Sequence, residues 1–357
     1  VRFFVLELEP RLDEARAAVA AFLGADADDL AFVPNATAGV STVLRSLDLH
    51  PGDELLTTDH AYNACRNALE HAAAGAGARV RVAEVPFPTP GPDAVVSAVV
   101  AAVTPRTRLA LLDHVTSQTA LVLPIGRLVA ELEARGIDTL VDAAHGPGML
   151  PMDLRATGAA YTTGNFHKWV CAPKGAAFLH VRRDRQARIR PLSISHGANS
   201  PRRDRSRFRL EADWTGTHDP APFLCVPVAL RLLGSLAPGG VAEVMDRGHA
   251  AAVAARGALC EALGISPPCP DAMLGSMASV PLPVVAEEDG AAQAAGPPPL
   301  DPLQEALFTR FGVEVPVFPW PRPPHRILRV STPLYVTAED VGRLVAALGE
   351  LGVGANR

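Results

Sequence analysis

Of the 33 basic residues in this 357-residue chain only two are lysines, Lys168 and Lys174. A reaction that needs a side-chain amine therefore has two candidates. Lys168 lies in Thr163-Gly164-Asn165-Phe166-His167-Lys168-Trp169, after an apolar run and beside an aromatic residue. A partly desolvated amine loses proton affinity and becomes nucleophilic towards a carbonyl. The alternative for a lysine at a sheet edge is simple solvation. Lys174, in Ala172-Pro173-Lys174-Gly175, reads as part of a tight turn. Asp142 closes the apolar run of Leu140-Val141-Asp142-Ala143-Ala144-His145. A carboxylate buried there needs a cation or donors. A protonated heterocyclic nitrogen would serve; capping the next turn is the structural alternative. His145 can equally be a satisfied polar side chain. Pro34-Asn35-Ala36-Thr37-Ala38-Gly39-Val40 follows a short apolar run and opens a helix. Free N–H groups and the Thr37 hydroxyl suit a phosphate, or Asn35 or Thr37 is an ordinary cap.

These stretches need elements that bring them together. Apolar β-like runs recur at 30–33, 54–58, 79–85, 107–113, 138–142, 159–163 and 176–181. Helix-like segments lie at 38–46, 61–74, 92–102 and 125–135, after an amphipathic helix over 11–24 ended by Gly24. The alternation predicts an α/β layer with a mainly parallel seven-stranded sheet and helices on both faces. Ligands of such sheets sit at the carboxyl ends of the strands. Later the pattern changes: helices at 223–235, 239–263, 301–311 and 337–351 alternate with strand-like runs at 274–285, 313–318 and 326–331. We expect a large domain over 1–222 and a smaller α+β domain over 223–357. The stretch 287–299 reads as a surface loop by composition.

A phosphate cradle, an acid and an amine, each at a strand end of one layer, are what pyridoxal 5'-phosphate (PLP) requires. The phosphate anchors, the carboxylate keeps the ring nitrogen protonated and the lysine forms a Schiff base. The sequence resembles the class V aminotransferase family of PLP enzymes, fold type I, and is most similar to its isopenicillin N epimerase-like branch, related to cysteine desulfurases and C–S lyases. The matching stretches are Phe32 to Val40, Asp59-His60-Ala61-Tyr62-Asn63-Ala64, Asp113-His114-Val115-Thr116-Ser117, Val141 to His145, Gly164 to Trp169, Trp214-Thr215-Gly216-Thr217 and Arg329-Val330-Ser331. They follow family order across nearly the whole chain.

The resemblance implies roles. Ala36 and Thr37 would hold the phosphate, with His167 touching it. Tyr62 would lie over the ring and is a candidate second proton donor. Asp142 would pair with the ring nitrogen, and His145 would sit near the phenolic oxygen. Lys168 would carry the cofactor and move the Cα proton. Thr217 would reach the phosphate of a neighbouring subunit, which implies a homodimer with shared active sites. Arg329 would grip a substrate carboxylate, a task its fork geometry suits; a strand-edge salt bridge is the alternative. The implied chemistry acts at Cα of an amino acid or small peptide, epimerase-like first, C–S β-lyase second, transamination or cysteine desulfuration further behind. A family member that has lost catalysis and serves as a binding partner is the non-enzyme alternative; intact Asp142, His167 and Lys168 argue against it.

Departures qualify the likeness. The stretch 313–328, where desulfurases carry a catalytic cysteine, has none. Ala160 and Thr162 replace an Asp and a Tyr common in relatives, so an altered substrate pocket is expected. Tyr335-Val336 stands where relatives carry Tyr-Asn. The chain begins with Val1 rather than Met, and by the resemblance we expect an N-terminal arm that the sequence from Val1 onward does not include.

Composition excludes other classes. With 48% hydrophobic and 20% charged residues, the chain can bury a core. No apolar run approaches the roughly 20 residues of a membrane span. A net charge of −5 without single-sign blocks argues against nucleic-acid or membrane partners. The arginines at 182–185 and 202–209 read as solvated or interface loops; near a pocket mouth, the latter would admit an acidic side chain or line a dimer seam. Five cysteines without a C-x-x-C pair support neither a metal cluster nor a disulfide framework, and fit a reducing cytoplasm. No G-x-G-x-x-G turn follows an early strand, which disfavours a nicotinamide-binding protein.

Overall fold

The computed structural model describes residues 1–284 and 300–354. The loop expected at 287–299 lies outside the described residues. The chain forms two compact units. Residues 1–86, 92–116 and 123–245 make the first; 87–91, 117–122 and the chain from 246 onward make the second. The division thus falls at Met245/Asp246, not at 222/223. The reason is packing: Phe223 and Val226 belong to one apolar cluster with Leu8, Leu12 and Val19 near the N-terminus.

The first unit holds strands β1 (Leu30–Val33), β2 (Glu54–Thr58), β3 (Arg79–Ala83), β4 (Thr107–Asp113), β5 (Asp138–Asp142), β6 (Tyr161–Asn165) and β7 (Ala177–Val181). They form one sheet in the order β1-β7-β6-β5-β4-β2-β3. Only β7 runs against its neighbours; the other pairs are parallel. Strands β2, β6 and β7 are buried along their whole length, which is why they read as runs rather than alternations. Edge strand β3 alternates Arg79, Val80, Arg81 and Val82 and keeps its arginines exposed.

The helices of this unit are α1 (Leu8–Leu23), α2 (Ala36–Arg45), α3 (Asn63–Ala76), α4 (Pro92–Ala101), α5 (Ile125–Glu133), α6 (Leu154–Thr157), α7 (Arg207–Ala212) and α8 (Ala221–Ser235). Two apolar layers cover the sheet. In one, Val40, Val43 and Leu69 of α2 and α3 pack with Leu55, Leu109, Leu140 and Leu179. In the other, α1 and α8 pack with Phe166 and Phe178. Adjacent Phe178 and Leu179 feed opposite layers, as alternate strand residues must.

The second unit is built around β8 (Met277–Pro281), β9 (Val317–Pro319) and β10 (Arg326–Ser331), antiparallel with β10 central. Helix α9 (Gly240–Leu263) spans the division at Met245/Asp246; α10 (Pro302–Phe311) and α11 (Ala338–Glu350) are the other α-helices of this unit among the described residues. Thr337 and Asp340 form a capping box at the start of α11. Among the described residues no single helix is long and apolar enough to cross a membrane.

Candidate active site

Strands β4, β5 and β6 of the first unit end in Asp113, Asp142 and Asn165, and this common end gathers most of the polar residues of interest. Asp113 and Asp142 are register partners across the ladder. Both are buried, at 5% and 2% exposure. Burial raises the proton affinity of each; for Asp113 the neighbouring Asp142 adds to it. Asp113 accepts from the backbone N–H of Tyr62. Asp142 accepts from the Ala144 N–H at 2.9 Å and from the Cys65 thiol at 3.1 Å. Cys65 comes from the first turn of α3 and is 1% exposed. Burial and the Asp142 charge push its thiol far above the usual range, and the Thr37 hydroxyl also bonds to it.

Lys168 follows β6 on a turn closed by the Cys171 N–H on the Lys168 carbonyl. Cys171 adopts positive φ there, a strained conformation for a non-glycine residue. The Lys168 amine lies 3.0 Å from His145 Nε2, and the Trp169 indole N–H donates to His145 Nδ1 at 3.2 Å. The same amine acts electrostatically on Asp113 and Asp142, favouring their ionised forms. Lys168 and the strand-end acid therefore share one environment. Gly148, at positive φ, lets the preceding loop approach Trp169: a Cβ there would lie 2.8 Å from the Trp169 carbonyl carbon.

Helix α2 presents its N-terminus to the same end of the sheet. Asn35 caps it by accepting from the Ala38 N–H at 2.8 Å. The Ala36 N–H donates to Asn165 Oδ1 at 2.8 Å. The close approach depends on Gly39, whose missing Cβ would meet Thr163 Oγ1 at 2.1 Å. His167 is half-buried; burial lowers its proton affinity, and its Nδ1 is buried without a hydrogen-bond partner.

Tyr62 precedes α3 and is 46% exposed. Thr217 is exposed after α7, and Lys174 is exposed in its turn. Arg329 lies on β10 of the second unit. It donates to the Ser117 carbonyl and stacks over Phe318 at 5.4 Å, and its Nε is buried without a partner. It has no carboxylate partner among the described residues, so burial alone lowers its proton affinity. Ala160, just before β6, and Thr162, within it, are each 2% exposed, so their identities act on packing rather than on a pocket wall.

Sequence reasoning assigned no role to Cys65, Asp113 or Asn165. The latter two lie inside matched stretches, and Asp113 also ends the run expected at 107–113; those positions were the available signal. Nothing in the sequence marks Cys65. Residues 202–209 were expected to be solvated or interface loops, and simple solvation does not describe Arg202, Arg205 and Arg209. Arg209 is buried and bonds Asp13, Asp28 and Asp213; Arg205 bonds Asp13 and Glu9; Arg202 bonds Glu9 and Asp204. Buried Arg16 of α1 joins through Asp13 and Asp213. These arginines fasten their segment to α1, and the carboxylates that an acidic ligand would bring to them are already supplied by the protein.

The fold and strand-end cluster define an α/β enzyme of fold type I, and the comparisons with known proteins agree. Residues 4–344 match the family described as aminotransferase class-V. The chain is 37% identical to the isopenicillin N epimerase of Amycolatopsis lactamdurans, across 98% of this chain and 87% of that protein. It is 29% identical to a probable chloroplastic L-cysteine desulfhydrase of Arabidopsis thaliana, across 98% and 76%. It superposes on the cystine C–S lyase C-DES, in a form with glycine covalently linked to its PLP cofactor, with a TM-score of 0.77 at 20% identity, covering 96% of this chain and 86% of that one. The chain belongs to the aminotransferase class-V family.

Proposed function

We propose that this chain is a PLP-dependent epimerase-like enzyme that inverts Cα of an amino acid or small peptide. The observation that carries the reading is the Lys168 amine, 3.0 Å from His145, acting on buried Asp142 at the next strand end. The residues fit the cofactor on independent grounds. Asp142 offers a buried carboxylate to a ring N–H. His167 Nδ1 is a buried polar atom awaiting a partner. Thr37 stands at a capped helix start brought close to β6 by Gly39. Bound PLP would supply an electron sink for negative charge at Cα.

The chain's residues then have these tasks. Ala36, Thr37 and His167 hold the phosphate, and Asp142 keeps the ring nitrogen protonated. His145 orients the phenolic oxygen. Lys168 Nζ removes the Cα proton. Inversion needs a proton delivered from the opposite face, and Tyr62 is our candidate. Arg329, a cation without a carboxylate partner among the described residues, holds the substrate carboxylate. Thr217, exposed, reaches a second copy's cofactor in a homodimer. Five free cysteines suit a reducing cytoplasm.

The desulfhydrase relative and the C–S lyase fold neighbour favour a second reading, β-elimination from a cysteine-type substrate. Reaction in deuterium oxide separates the two. Deuterium at Cα of recovered, inverted substrate supports epimerisation. Pyruvate with a released thiol, and no inversion, would overturn it in favour of the lyase. Borohydride should fix the cofactor on Lys168.

A further inference from the structure

We infer that Trp169 is a positioning residue that sets the tautomer of His145 and thereby holds the Lys168 amine in its uncharged form. This rests on the reading of Lys168 as the reactive amine. The argument is a count of protons. An indole N–H can only donate. Its bond at 3.2 Å therefore requires a lone pair on His145 Nδ1. A neutral imidazole then carries its one proton on Nε2, 3.0 Å from Lys168 Nζ. That proton must be donated, so Nζ accepts and is an amine rather than an ammonium. The converse state is exclusive. An ammonium would donate to Nε2, place the ring proton on Nδ1 and break the indole bond.

Two pressures act on Lys168 from the elements around it. Asp113 of β4 and Asp142 of β5 favour the ammonium. His167 beside it, Cys171, which closes the turn, and Lys174 are further titratable groups there. The Trp169–His145 bond opposes the two acids. The backbone that carries the indole is held closely, because Gly148 lies against the Trp169 backbone and Val170 is 1% exposed. Uncharged Nζ has the lone pair needed to attack an aldehyde or to take a proton from carbon.

Having only two lysines makes the test direct. The full chain, freed of any bound aldehyde, is trace-labelled with acetic anhydride between pH 6 and 10 and read by peptide mass spectrometry, with exposed Lys174 as internal reference. Lys168 should reach half its full reactivity at a lower pH than Lys174. In Trp169→Phe the Lys168 to Lys174 ratio at pH 7.5 should fall roughly tenfold, the scale of one hydrogen bond. An unchanged ratio in a folded variant overturns the inference. Nitrogen-15 NMR of the histidine rings supplies a measurement on the unaltered chain, with His145 assigned by its loss in His145→Gln. A protonated Nε2 beside a bare Nδ1 is expected; a protonated Nδ1 overturns the inference even if Trp169→Phe fails to fold. Neither readout requires the chain to bind PLP, so failure of the proposed function leaves both interpretable.

Discussion

Two buried charged clusters in the first unit obey opposite rules. Around Arg16, Arg205 and Arg209, every guanidinium meets carboxylates: Asp13, Asp213, Glu9 and Asp28. Burial works against the ionised Asp13, but the Arg205 hydrogen bond and the surrounding arginines bring its proton affinity below normal. The Arg202 hydrogen bond does the same for Glu9. At the ends of β4 and β5, like charges stand together instead, and both acids are pushed towards protonation. The first cluster is what a fold builds to hold itself together. The second is a local cost that makes sense if a ligand with a protonated nitrogen completes it.

The largest expected effect breaks the second cluster. Lys168→Ala should abolish the borohydride adduct and lower turnover by about 10⁴-fold, the upper scale for losing a proton-transfer group. Lys174→Ala should retain adduct and turnover. The mass-spectrometric site of the adduct and steady-state rates check both. Next in size is a break in the first cluster. Asp213 bonds both Arg16 and Arg209, which are 1% and 4% exposed. Asp213→Asn leaves buried guanidinium groups under-compensated and should cost about 3 kcal/mol, read from the denaturant midpoint.

The contrast between the clusters also explains what the sequence could tell. Strand ends at Asp113 and Asp142 coincide with the expected runs because apolar residues stop where the sheet stops. The candidate lysine stood out because arginine fills nearly every other basic position. Pairings between distant segments were not legible. Cys65 reaches Asp142 from 77 residues away and Asn165 reaches Ala36 from 129. Arg205 and Asp13 meet across 192 residues, so the arginines looked solvated when read locally. The side of the division on which α8 falls was not legible either: its composition suits either unit, and its packing with α1 places it in the first.

A steric test comes third. Gly39→Ala would put a methyl against Thr163, whose Oγ1 donates to the Phe178 carbonyl at 2.7 Å and cannot easily yield. The helix start must shift from β6, costing about 2 kcal/mol of stability and weakening PLP binding. Fluorescence titration with PLP and thermal unfolding of the same variant check the two halves.

The smallest effect sharpens the comparison most, because the clusters should answer pH with opposite signs. Glu9 and Asp13 bind protons less tightly folded than unfolded. Their stabilisation is complete above the unfolded carboxyl value of about 4 and is lost as pH falls through their lower folded values. Asp113 and Asp142 bind protons more tightly folded than unfolded. Their contribution is most favourable below about pH 4 and declines as pH rises from there through their raised folded values. Asp113→Asn keeps an acceptor for the Tyr62 N–H while removing the like charge. At pH 8 it should stabilise the fold by about 1 kcal/mol, one pKa unit's worth, and flatten the decline between pH 4 and 8. Asp13→Asn should instead destabilise at pH 8 and lose that penalty on acidification. Urea unfolding at several pH values reads both slopes. Equal slopes in the two variants would mean that the strand-end acids are compensated as fully as the arginine network.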